Sequence, residues 1–171
     1  YPLPRAFDAA YANSTALYFE LDYGDPEQSG ANITVERFDA LMRDPQGKLL
    51  SEVLTPVTYG LLRDYLANTW NLDLGTMDHW AAQAFVSTWY RSHLRAVHGV
   101  DAAGVDRHLA DRALADGKRV AGFETLASQY AVIHAMDEGR EEQVVDGFLF
   151  AMLSGGDILG FEQLVREWRS G

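Results

Sequence analysis

The chain has 171 residues, 47% of them hydrophobic, with a formal net charge of −11 and no cysteine. That composition belongs to a folded chain able to bury a core, not to a disordered one. It excludes disulfides, thiolate zinc sites and a cysteine nucleophile, it opposes binding to nucleic acid or anionic lipid, and no apolar run is long enough to span a membrane.

Pro2 and Pro4 impose an extended entry, after which residues 5–11 form a short helix with Phe7, Ala10 and Tyr11 inward. Residues 16–22 (ALYFELD) are the strongest strand, a nearly continuous apolar run expected to be covered on both faces. Residues 23–32 read as a surface loop. Thr34 caps a helix with Val35, Phe38, Leu41 and Met42 inward, and Thr55-Pro56 starts a helix over 57–69 with Leu61, Leu62, Tyr65 and Leu66 on one face. Thr76 or Asp78 caps a long helix running to about residue 97, rich in aromatics. A helix over 105–116, with Leu109, Ala113 and Leu114 inward, ends at Gly117. Residues 119–123 form the second strand, and three further helices follow over 126–136, 141–153 and 158–168.

The fold class is therefore α/β to α+β, helix-dominated, with a few short strands and a helical insertion over about 33–116 inside a single domain, 1–171. Two strands alone leave open edges, which predicts pairing with a second copy, a homodimer.

Two acidic groups stand out by position. Glu20 and Asp22 share one face of the first strand by the period-two rule. Glu20 lies within an apolar run, where a buried carboxylate needs a partner or a metal. Glu124 ends the second strand just before a helix, where α/β sheets collect ligands. If the strands are parallel neighbours, Glu20, Asp22 and Glu124 meet at one rim and can bind a divalent cation or act as an acid/base pair. The competing interpretation makes Asp22 a turn residue and Glu124 a helix-dipole partner. The five histidines form no HExxH motif, and Asp101 and His108 are best taken as surface residues near a capped helix start. Trp70, Trp80, Trp89 and Tyr90 are better suited to a helical core than to a ligand groove.

The order of motifs resembles the TraB/GumN family, which includes the TIKI proteins. The segments that carry it are YPLP (Tyr1–Pro4), the strand ending at Glu20, Gly104 with Asp106, Gly117-Lys118, and Phe123-Glu124-Thr125 with Gln129. The resemblance implies a metal-dependent hydrolase or protease, with Glu20 and Glu124 catalytic, Glu20, Asp22 and Glu124 at a divalent metal, and Asp106, Thr125 and Gln129 at the substrate. It also implies a peptide or protein substrate and a cell-envelope or secreted location. The family's two Gly-x-x-His motifs do not occur in these residues. The expectation is thus the central part of such a domain, inactive alone. The alternative is a non-catalytic binding or assembly domain with an aromatic helical groove.

Overall fold

The structure, a computed structural model, describes residues 5–98, 104–136 and 138–170. The extended entry expected at Pro2 and Pro4, and Asp101, lie outside them. In chain order the elements are α1 (Arg5–Asn13), β1 (Ala16–Leu21), α2 (Val35–Met42), α3 (Leu50–Val53), α4 (Pro56–Trp70), a 3-10 turn (Leu74–Met77), α5 (Ala82–His98), α6 (Val105–Ala115), β2 (Arg119–Glu124), α7 (Leu126–Ala135), α8 (Glu141–Ser154) and α9 (Gly156–Ser170). This is the helix-rich α/β chain the sequence indicates.

The chain divides into two compact units. The first takes residues 1–41 and 98–132, and the second residues 42–97 and 133–171.

The first unit holds the sheet. β1 and β2 run parallel, with Ala16 beside Arg119, Phe19 beside Gly122 and Leu21 beside Glu124. Their pairing is close because residue 122 is glycine: a Cβ there would lie 2.3 Å from the Asp22 backbone nitrogen. One sheet face, carrying Leu17 and buried Phe19, is covered by α1 and α6; Phe7, Ala10, Tyr11, Leu17 and Leu109 line a small apolar cavity of about 200 Å³ there. The other face presents Tyr18 and Phe123, stacked at 5.5 Å and exposed to 50% and 78%. The strand was expected to be covered on both faces; among the described residues one face of β1 stays open at Tyr18.

Lys118 fastens the end of α1 to the start of β2. Its ammonium donates to the carbonyls of Tyr11 (2.9 Å) and Ser14 (2.6 Å), where α1 ends. Tyr11 is held between Lys118 and the Arg112 guanidinium, which sits 3.9 Å over its ring, while its hydroxyl donates to Asp116. Gly117 permits the turn between α6 and β2 through a φ of +69°.

The second unit is helical and holds the main core, in which Leu50, Leu62, Leu66, Phe85, Val145 and Leu149 are buried together. Trp70, Trp80, Trp89 and Tyr90 are partly buried and pack against that cluster, in line with a core role. α4 starts as its sequence dictates: the Thr55 hydroxyl accepts the Thr58 amide, and Pro56 opens the first turn. Glu142 of α8 completes this cap by accepting the Thr55 N–H at 2.7 Å and the Thr55 hydroxyl at 2.9 Å.

Several faces differ from expectation. Val35, Leu61 and Leu114 are exposed, while Met42, Leu62 and Ala113 carry the burial on their helices. The long aromatic helix starts at Ala82, not at Thr76 or Asp78. Residues 79–81 are instead held across to 42–44, with Ala81 N–H donating to Met42 and Asp44 N–H to His79. The Asp78 carboxylate is taken by the amide and hydroxyl of Ser51.

Candidate functional site at the carboxyl rim of the parallel strands

The candidate catalytic, metal and substrate residues, Glu20, Asp22, Asp106, Glu124, Thr125 and Gln129, all lie in the first unit. Glu20 is the penultimate residue of β1 and is exposed, so its carboxylate bears no burial cost despite the apolar run around it. That corrects the sequence-based picture of a buried carboxylate needing rescue. Its Oε2 accepts a hydrogen bond from the Gln129 side-chain amide at 3.3 Å. Gln129 reaches it from the first turns of α7, where its own amide donates to Thr125.

Thr125 is the hinge between β2 and α7. Its hydroxyl accepts the Ser128 amide at 3.1 Å, and the Ser128 hydroxyl in turn accepts the Thr125 N–H at 2.9 Å. This reciprocal cap fixes where α7 starts and so where Gln129 points. Thr125 thus has a capping role in the first instance.

Asp22 follows β1 and closes a tight turn, its Oδ1 accepting the Gly24 amide at 2.9 Å and its carbonyl accepting from Asp25. Gly24 lies against Val120, so the turn folds back over β2. The register pairs Leu21 with Glu124, whereas Tyr18, which stacks on Phe123, shares the face of Glu20. Period-two alternation therefore directs Glu20 and Glu124 to opposite faces at the same rim. Glu124 is exposed there. Asp106 is exposed in the first turn of α6, whose N-terminus favours an acidic group.

Two side chains that the sequence reading passed over complete the rim. Tyr23, half-buried in the turn after Asp22, packs edge-on against Phe19 at 5.4 Å. The Arg107 guanidinium sits over the Tyr23 ring at 5.9 Å and is anchored by Asp111 at 2.8 Å. Burial raises the Tyr23 phenol above its usual pKa; Asp106 adds to this, Arg107 opposes it, and Glu20 adds again. The phenol therefore stays protonated at neutral pH. Gly122 was legible in principle, because a lone glycine inside a strand signals close backbone approach. Tyr23 carried no comparable signal.

Among the described residues, no ion pair joins Glu20, Asp22, Asp106 or Glu124 to a basic side chain. No group of three or more His, Cys, Asp or Glu among them is placed to hold a metal. Asp22 spends an oxygen on its turn and Glu124 faces away from Glu20, so the expected set Glu20, Asp22 and Glu124 does not fit a divalent ion by itself. What the rim does offer is a solvent-facing carboxylate, Glu20, that accepts a side-chain amide.

The sequence model of the TraB/PrgY/gumN family matches residues 1–171, the whole chain, and the chain belongs to that family. No curated protein and no solved structure matches it.

Proposed function

We propose that this chain carries the carboxylate side of a hydrolytic centre, with Glu20 as the proton acceptor that activates water. The observation that supports this is the Gln129 amide on Glu20 at the carboxyl rim of the strands. A carboxylate used as a base has to be exposed to water yet held in one orientation, and Glu20 meets both conditions. In this reading Asp106 and Gln129 contact the substrate, and Glu124 borders the rim from the other face. The metal of the family chemistry, together with its histidines, needs donors beyond the described residues, so Glu20 is necessary here rather than sufficient. A peptide or protein substrate and a cell-envelope or secreted setting belong to this proposal through the family resemblance.

The test is hydrolysis by a family chain that carries these residues together with both Gly-x-x-His motifs. Replacing Glu20 by Gln is expected to cut turnover by roughly 10²- to 10⁴-fold, the usual contribution of a general base. Unchanged turnover sinks the proposal.

A second reading concerns assembly. The open strand edges, with Tyr18 and Phe123 exposed beside them, favour association with another copy of the chain. Light scattering checks this: a dimer that Phe123→Glu dissociates supports it, and a monomer at high concentration overturns it.

A further inference from the structure

The strand register fixes what surrounds Glu20 on its own face of the sheet. Phe19 lies beside Gly122 and Leu21 beside Glu124, so Glu20 lies beside Phe123, and Tyr18 comes two residues earlier on the same face. A cross-strand neighbour stands about 5 Å away and a residue two along the strand about 7 Å away. Anything that contacts the Glu20 carboxylate from solvent is therefore within reach of both rings. The rings stack on each other at 5.5 Å, and both are exposed. A contiguous exposed aromatic pair, unlike apolar residues scattered singly, marks a place where another molecule binds.

The size of the pair narrows what that molecule is. The Arg119 guanidinium, 5.9 Å from the centre of the Tyr18 ring, bounds it at the amino end of the face, and Glu20 with Gln129 bounds it at the carboxyl end. Two partly exposed rings, of about 150–250 Å² each when complete, fall well short of the roughly 800 Å² per partner of a stable protein interface. A second copy laid permanently over this face would also take the Glu20 carboxylate out of water with the Gln129 amide in return, which is costly. A single side chain fits the pair without closing off Glu20. Resting on the reading of Glu20 as the reacting base, we infer that Tyr18 and Phe123 form the subsite for an aromatic side chain of the substrate, held next to the bond that reacts. Glu124, on the opposite face, has no part in it.

The experiment uses this chain with its eight phenylalanines ring-labelled for magnetic resonance. The Phe123 signal is assigned by its loss in Phe123→Leu, a change at an exposed ring. The chain is titrated with a pentapeptide amide that has phenylalanine at the centre of four glycines, and separately with its alanine counterpart. The inference predicts a saturable shift of the Phe123 signal with the phenylalanine peptide and binding at least about 10-fold weaker with the alanine one. Tyr18→Ser should reduce that preference and Glu124→Gln should leave it unchanged. A Phe123 signal unmoved by either peptide, or moved equally by both, overturns the inference. A signal that moves with chain concentration, and that the phenylalanine peptide fails to displace, also overturns it, in favour of a second copy on this face. The peptide contrast needs no turnover, so the two readings fail separately. Hydrolysis that depends on Glu20 while Phe123 stays silent removes only this inference. A selective Phe123 response with hydrolysis unaffected by Glu20→Gln removes only the assignment of Glu20.

Discussion

Replacing Gly122 by Ala probes the strand pairing on which the whole rim depends. The added methyl would stand 2.3 Å from Asp22 N, 2.6 Å from Leu21 C and 2.9 Å from Asp22 Cα. These are backbone atoms and cannot rotate aside, so β1 and β2 have to separate at their carboxyl ends. Overpacking a filled site costs about 1–3 kcal/mol when side chains can adjust, and a backbone neighbour places Gly122→Ala at or above the top of that range. Other glycines supply the controls. Gly60 in α4 and Gly147 in α8 face open space, and Ala at either should stabilise by about 0.5–1 kcal/mol. Gly117 also faces open space but has a φ of +69°, so Ala there should cost about 1–2 kcal/mol. The assay is urea unfolding read by two signals. Trp70, Trp80, Trp89 and Trp168 all lie in the second unit, so tryptophan emission follows that unit alone, while far-ultraviolet dichroism follows both. Gly122→Ala should lower the dichroism transition, and Gly60→Ala and Gly147→Ala should raise the emission midpoint. If Gly122→Ala stays within about 0.5 kcal/mol of wild type, the typical range of a neutral substitution, the strand register is wrong.

Other predictions concern the caps and the metal. Thr55→Ala removes the N-cap of α4 and should cost about 1 kcal/mol, measured by the tryptophan transition. Burial pushes the Glu142 carboxyl up, but hydrogen bonds from Thr58 and Thr55 outweigh this and hold it below its usual value of 4.5. Its contribution to stability is therefore complete above that value and is lost as pH falls through the lower folded one. Glu142→Gln should flatten the acid limb of the pH–stability curve, and an unchanged limb would rule the cap out. Lys118→Met leaves the Tyr11 and Ser14 carbonyls without their cation and should cost about 1.5 kcal/mol, at the low end for charged hydrogen bonds. Isothermal titration with Zn²⁺, Mn²⁺ or Co²⁺ should show no micromolar site, and the Glu20→Gln/Glu124→Gln pair should change nothing. Micromolar binding lost in that double variant would contradict the ligand geometry.

The sequence carried the elements far better than their mutual placement. Apolar runs and capping residues located both strands and α4 because those signals are local: Thr55-Pro56 works through its own first turn, and ALYFEL through its nearly continuous apolar run. The start of α5 was illegible because residues 79–81 are recruited by residues 42–44, a partner no local pattern announces. At the rim, period two applies to Glu20 inside β1 but not to Asp22, which lies in the turn past its end. It could not give the offset between strands, and that offset, Leu21 beside Glu124, sends Glu20 and Glu124 to different faces. Gln129 was picked out only through resemblance. Its hydrogen bond to Glu20 depends on a helix start fixed by the reciprocal cap of Thr125 and Ser128.

The central claim is that Glu20, steadied by Gln129, is the working carboxylate of this rim. It is tested most directly by comparing Glu20→Gln with Glu124→Gln in peptide hydrolysis by a family chain that carries these residues and both Gly-x-x-His motifs. The account predicts that Glu20→Gln lowers turnover by at least about 100-fold, as loss of a general base does, and that Glu124→Gln lowers it markedly less. Equal losses in the two variants, or turnover that survives Glu20→Gln, would contradict it.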